Sequence, residues 1–124
     1  TDLGGNVLLV GRNDSASKCR KQWDEVLEPG ALGHMVLSLD HKPVDLSESQ
    51  EAGGDLQLSG HTHAGQMMPA GRLGEMCGHS EISYGYRNFG DYSALVSSGV
   101  GTWGFPCRVG SPSEVAVVDI KPSA

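Results

Sequence analysis

Aromatic residues make up only 6% of this 124-residue chain. No apolar run in it approaches the roughly 20 residues that a membrane-spanning helix needs, so the chain contains no transmembrane segment. Cysteine is equally sparse. Cys19, Cys77 and Cys107 are odd in number, widely spaced, and form no C-x-x-C pair. That pattern indicates neither a disulfide framework nor a zinc knuckle, and the three thiols are expected to be free. Basic clusters are short, the longest being Lys18-Cys19-Arg20-Lys21, and the formal net charge is −6. Nucleic-acid binding calls for the opposite balance and is not expected.

Glycine, by contrast, is plentiful: 18 of 124 residues, about twice ordinary usage. So many glycines imply tight turns between short elements rather than a helical bundle. The length suits a single domain, residues 1–124, with a real but modest core. The chain begins with Thr1 rather than Met, which raises the expectation that it is a piece of a longer protein.

The first half alternates. Residues 6–11 (N-V-L-L-V-G) are a continuous apolar run, the pattern of a buried strand. Asp14 or Ser15 can cap a following helix over residues 17–27, with Cys19, Trp23, Val26 and Leu27 as its apolar stripe. Trp23 reads as a core anchor and the basic residues as a solvated face. Pro29-Gly30 stops that helix. A second strand covers residues 33–41. A short helix over 46–52 ends at Gly53-Gly54, and a third strand covers 55–59. Strand, helix, strand, helix, strand argues for an α/β fold with parallel pairing and helices on the faces.

The second half looks β-rich. Residues 67–71 read as a loop, and 71–88 carry many glycines and little periodicity, with Tyr84-Gly85-Tyr86 as a turn. Strands are expected at 92–98 and 114–120, the latter closed by Pro122. With no helices between them, these strands suggest antiparallel pairing. No internal repeat or low-complexity segment is visible.

The residues that carry chemistry sit at strand ends. The third strand stops at Gly60, and His61 and His63 follow on a glycine-bracketed loop. His41 ends the second strand. Neighbouring parallel strands that both end in histidine bring three imidazoles to one rim, where ligands of open α/β sheets bind. Neutral imidazole suits zinc, iron, manganese or nickel. His34 and His79 lie elsewhere in the pattern and carry no assigned role.

Three segments together resemble one family: D-H-K-P at 40–43, D-L-Q-L-S-G-H-T-H-A-G-Q at 55–66, and S-S-G-V-G-T-W-G-F-P-C-R-V-G-S-P-S-E at 97–114. They look like the C-terminal half of the calcineurin-like metallophosphoesterases. The nearest branch is that of bacterial, often membrane-associated phosphoesterases with a G-H-T-H-G-G-Q loop and a G-T-W-G-x-P-x-R loop. The resemblance covers the chain from Val7 onward. It implies about half of a β-sandwich flanked by helices, with a dinuclear metal centre on one edge. His41 and His61 would ligate one metal and His63 the other. The loop at 101–108 would lie near the site, leaving Arg108 open between a phosphate contact and a plain surface arginine.

The resemblance also implies what is missing. The family's D-x-H, G-D-x-x-D and G-N-H motifs do not occur here, and Ala64 stands where the branch has glycine. If that position needs a positive φ, alanine costs about 1 kcal/mol. Three neutral imidazoles cannot hold two dications about 3.5–4 Å apart without anionic bridges. The full-length protein is therefore expected to bind two divalent ions (Mn, Fe, Zn or Ni), and this chain alone at most one, weakly. Asp14, Asp40 and Asp55 are the carboxylates that would have to replace the absent ligands. The resemblance implies hydrolysis of a phosphomonoester or phosphodiester by the full-length enzyme, with a phosphorylated small-molecule or lipid-like substrate, and an inactive isolated chain. The alternative is a non-catalytic metal-binding or degenerate interaction domain. Half a sandwich would expose an apolar face and an edge, so a homodimer is expected. Membrane association would come through a preceding segment, and the setting is otherwise cytoplasmic.

Overall fold

A computed structural model of the chain describes residues 1–27, 33–67 and 69–121. The fold is α/β. Its strands are β1 (Val7–Gly11), β2 (Met35–Leu39), β3 (Leu56–Ser59), β4 (Gly85–Asn88) and β5 (Ser93–Val96). The helices are α1 (Trp23–Val26), α2 (Leu46–Glu51) and α3 (Ala70–Met76), with a 3-10 turn at His63–Gly65. One mixed sheet runs in the order β1-β2-β3-β5-β4. The first four in that order are parallel, and β4 pairs antiparallel with β5 at the edge.

Register fixes the faces. Val10, Ser38, Gln57, Ala94 and Val96 share one face of the sheet, together with Val36. Both core clusters form there: Trp23, Leu27 and Val36 with Val10, Val26 and Ala52 beside them, and Leu46, Ile82, Tyr92, Ala94 and Val96. Helices were expected on the faces of the sheet, and α1 and α2 both pack on one of them. The reason is topological. β1→β2→β3 steps across the sheet in one direction, and right-handed crossovers in one direction put their helices on the same side. The opposite face carries Val7, Leu9, Leu37, Leu39, Leu56, Leu58 and Leu95, and neither core cluster draws on it. Leu37 and Leu56 are buried at its centre, while Leu39 is 39% exposed.

Trp23 is fully buried, as its anchor reading requires, but the helix around it is a single turn. Residues 13–20 fold as turns instead: Asp14 takes the Ala16 and Ser17 N–H groups, and Asn13 Nδ2 donates to the Cys19 carbonyl. This irregular path delivers Arg20 to a buried carboxylate. The side chain of Asp40 is 0% exposed and that of Arg12 is 1% exposed. Arg12 Nε meets Asp40 Oδ2 at 2.8 Å, and Arg20 Nη2 meets the same oxygen at 2.7 Å. Arg20 is thus part of an ion-pair network rather than a solvated face, and Asp40 and Asp45 raise its pKa against the opposing effect of burial. The Arg12 guanidinium also lies 4.4 Å from the Trp23 ring centroid, a cation–π contact. The helix stop at Pro29-Gly30 lies outside the described residues.

Asp45 precedes α2 with φ 58° and makes no side-chain cap. Its carboxylate goes to Arg12 (2.6 Å) and Arg20 (3.1 Å), and Glu81 accepts the Leu46 N–H in its place. At the other end of α2, Gly54 packs so closely that a Cβ would stand 2.9 Å from the Ser49 carbonyl oxygen.

Two further expectations are corrected. Residues 71–88 hold most of α3 and all of β4, so Tyr86 lies in an edge strand rather than a turn. Residues 114–120 form no strand. Glu114 is tied down, accepting from Ser98 N–H and Tyr84 O–H, and its own N–H donates to Gly99. Beyond it no described neighbour pairs with the backbone, and Val115 and Val117 stand 75% and 89% exposed. Extended residues without a ladder do not make a strand, whatever their alternation. Met68 and Pro122 lie outside the described residues. All three cysteines are free and exposed. No helix among the described residues is long and apolar enough to cross a membrane.

Candidate metal site

Four parallel strands deliver their carboxyl ends to one rim: Gly11, Leu39, Ser59 and Val96. His41 follows β2 by two residues and His61 follows β3 by two. Their imidazoles meet there, His61 Nδ1 3.0 Å from His41 Nε2, with the rings edge to face. The main chain reinforces the approach, since Gly60 N–H donates to the His41 carbonyl. The Asp40 network holds the other end of the same turn. Partial burial lowers the His61 pKa, and the positive field of His41 adds to it; Asp14 opposes both. A neutral imidazole with a lone pair is the ligating form.

The loop after His61 is held in an unusual backbone. His61, His63, Ala64 and Gln66 all have positive φ, from 47° to 66°. Ala64 sits at φ 51°, ψ 32°, the left-handed region in which its Cβ is strained. Side chains hold it there. Thr62 Oγ1 donates to the Ser83 carbonyl at 2.6 Å. Gln66 Oε1 accepts the Trp103 N–H at 2.6 Å, while its amide nitrogen donates to the Trp103 and Phe105 carbonyls. Strain of this kind concentrates at functional loops.

His63 lines the same cavity as the other two and is bound to Arg108. Its Nδ1 accepts from Arg108 Nη2 at 3.3 Å, and its carbonyl accepts from Arg108 Nη1 at 3.2 Å. Arg108 also donates to the carbonyls of Ser98, Gly99 and Gly101. Its guanidinium thus ties the 98–101 loop to the histidine loop. Of the carboxylates weighed as substitute ligands, Asp40 is fully engaged by arginines. Asp55 accepts the Val36 N–H at the other end of the strands. The Ala16 N–H is the main cause of the lowered pKa of Asp14, and the positive fields of His41 and His61 add to it.

The paired imidazoles fit a divalent ion as far as they go. A 3.0 Å separation lets one ion reach both nitrogens at metal–nitrogen distances of about 2.0–2.1 Å. They do not complete a site: among the described residues no three His, Cys, Asp or Glu side chains are arranged around one ion. A cavity of about 820 Å³ opens from the three histidines toward Thr62, Gln66, His79, Trp103 and Phe105. Sequence reasoning gave His79 no role; the turn after α3 carries it to this wall, its N–H donating to Gly74. Gln66 was read as part of a motif, but its task of fixing the 103–105 loop is visible only in space.

No protein-family model matches the chain, and no solved structure matches it significantly. Curated relatives do. A Helicobacter pylori (strain J99) protein named as an uncharacterized metallophosphoesterase is 32% identical over 123 residues, covering 95% of this chain and 33% of that protein. An Aquifex aeolicus protein of the same designation is 37% identical over 131 residues, covering 97% of this chain and 48% of its own length. A Campylobacter jejuni metallophosphoesterase is 41% identical over 68 residues, 54% of this chain and 18% of that protein. The chain thus spans about a third of the length of the Helicobacter relative and just under half of the Aquifex one. These similarities support the metallophosphoesterase family.

Proposed function

We propose that this chain is the C-terminal part of a metallophosphoesterase domain, contributing His41 and His61 to one divalent ion and His63 to a second. The observation that carries the reading is the His41–His61 pair, 3.0 Å apart at the carboxyl rim of a parallel sheet. Similarity to metallophosphoesterases along 95% of the chain supports the family in this reading. When bound, such ions supply Lewis-acid polarisation of a phosphoryl oxygen and a lowered pKa for water. The chain's own residues orient the imidazoles. Arg12, Arg20 and Asp40 fix the turn that carries His41. Thr62 and Gln66 hold the loop of His61 and His63. Arg108 donates to His63 Nδ1, which puts the proton of a neutral ring on Nε2, so His63 takes an ion only once that contact is released. The substrate class is a phosphomonoester or phosphodiester, and the remaining ligands, anionic ones among them, come from the rest of the protein.

Calorimetric titration of the chain with manganese tests the site. The expected result is at most one weakly bound ion, abolished in His61→Ala and unaffected in His34→Ala. Two tightly bound ions, or binding that survives loss of His61, would overturn the ligand assignment. Hydrolysis of a chromogenic phosphodiester by the isolated chain, lost in His61→Ala/His63→Ala, would overturn the need for outside ligands.

A further inference from the structure

The cavity beside the histidines is lined by two chemically different groups: His41, His61 and His63, and the aromatics Trp103 and Phe105. The indole is 79% exposed and the phenyl ring 74% exposed. Single exposed apolar residues are ordinary, but an adjacent aromatic pair on the wall of a ligand-sized cavity is the composition of a binding surface. Nor is the pair free to drift. Gln66 makes three hydrogen bonds to the main chain at Trp103 and Phe105, of 2.6, 2.9 and 3.1 Å. Gly104 turns the chain between them at φ 70°, so two large side chains stand out from one short, pinned segment. Rings held in place before a ligand arrives lose little freedom when it binds.

The cavity's chemistry narrows the ligand. Among the described residues none of its lining is Lys, Arg, Asp or Glu; away from the histidines the described walls are Thr, Ser, Gly, Ala, Met, Gln and the two aromatics. These described walls offer no carboxylate, guanidinium or ammonium group to pair with a charged headgroup. They suit a flat apolar group stacked on an indole face.

Resting on the reading of the site given above, we propose that Trp103 and Phe105 form a specificity wall for the alcohol portion of the phosphoester, selecting a planar, uncharged, apolar group. The phosphoryl end lies at the histidines and the organic end against the aromatics. Gln66 is a positioning residue for that wall.

The test compares 1-naphthylphosphonate with methylphosphonate, neither of which can be hydrolysed, by calorimetry on the 124-residue chain with manganese present. The naphthyl compound is expected to bind at least about tenfold tighter, as stacking and burial of a ring require. In Trp103→Ala/Phe105→Ala the ratio falls to within about threefold, and Trp103→Phe restores most of it. Both variants alter exposed side chains, and the circular dichroism spectrum checks that the fold is kept. A ratio near one in the wild type, no measurable naphthylphosphonate binding, or a ratio that survives the double alanine variant overturns the proposal. His61→Ala/His63→Ala separates the two readings. It weakens both compounds and keeps their ratio if the histidines bind the phosphoryl end. A kept ratio with no weakening overturns the metal-site reading and leaves the aromatic wall standing.

Discussion

Asp40→Ala removes one carboxylate from a site with almost no water. The Asp40 side chain is 0% exposed and takes N–H groups from two arginines, at 2.8 Å from Arg12 Nε and at 2.7 and 3.2 Å from Arg20. Its loss leaves Arg12, 1% exposed, beside Arg20 with the central counter-charge gone. Breaking a buried pair from one side costs about 3–5 kcal/mol, because the surviving charge stays desolvated. Arg12 retains Asp45 at 2.6 Å and Glu48 at 3.4 Å, which places the expected loss toward the lower end of that range. Against a domain stability of about 5–15 kcal/mol this is a large fraction. Urea unfolding followed by tryptophan fluorescence is the natural assay, since buried Trp23 packs against Arg12. With a slope of about 1–3 kcal/mol per molar urea, the midpoint should fall by one molar or more. Asp119→Ala is the control. Its pair with Lys121 is 3.1 Å long but both side chains are more than 70% exposed, and the cost should stay below about 1 kcal/mol. A loss below about 1 kcal/mol for Asp40→Ala as well would refute the claim that this network holds the β2 end and, through it, His41.

Ala64→Gly removes a Cβ from φ 51° and should stabilise the chain by up to about 1 kcal/mol, relief of left-handed strain exceeding glycine's added unfolded-state freedom; a lower urea midpoint would contradict it. Burial pushes the Tyr92 hydroxyl up to about 12. The neutral form is the one the fold favours, so this contribution is intact below the unfolded value near 10 and is lost as pH rises from there through about 12. Alkaline unfolding should therefore steepen in that window and flatten in Tyr92→Phe, with absorbance titration showing one tyrosine ionising late. The sheet face opposite α1 and α2, with Leu39 39% exposed, predicts self-association in solution. Light scattering should show a dimer that Leu39→Lys weakens, and a strict monomer at high concentration would count against it.

The sequence by itself determined the elements whose cause is local. The apolar runs of β1 and β2 and the alternation of Leu56 and Leu58 made strands near their expected places. Trp23 had to be buried, and glycines had to turn the chain after α2. Strand ends carrying His41 and His61 were legible because parallel strands put like ends on one rim. Tertiary structure decided whatever depended on a partner far along the chain. Arg20 left the wet side of a helix because Asp40, twenty residues on, is buried and anionic. Residues 114–120 alternate like a strand yet have no described neighbour to pair with, so their pattern found no ladder. Residues 85–88 lack that pattern and became β4 because the exposed edge of β5 offered hydrogen bonds. The placing of both helices on one face came from the order of strands in space, as did the wall that Gln66 builds from Trp103 and Phe105. Hydrogen bonds and charge pairs between distant residues leave no periodicity in a sequence, because each is satisfied only once the sheet has brought its two ends together.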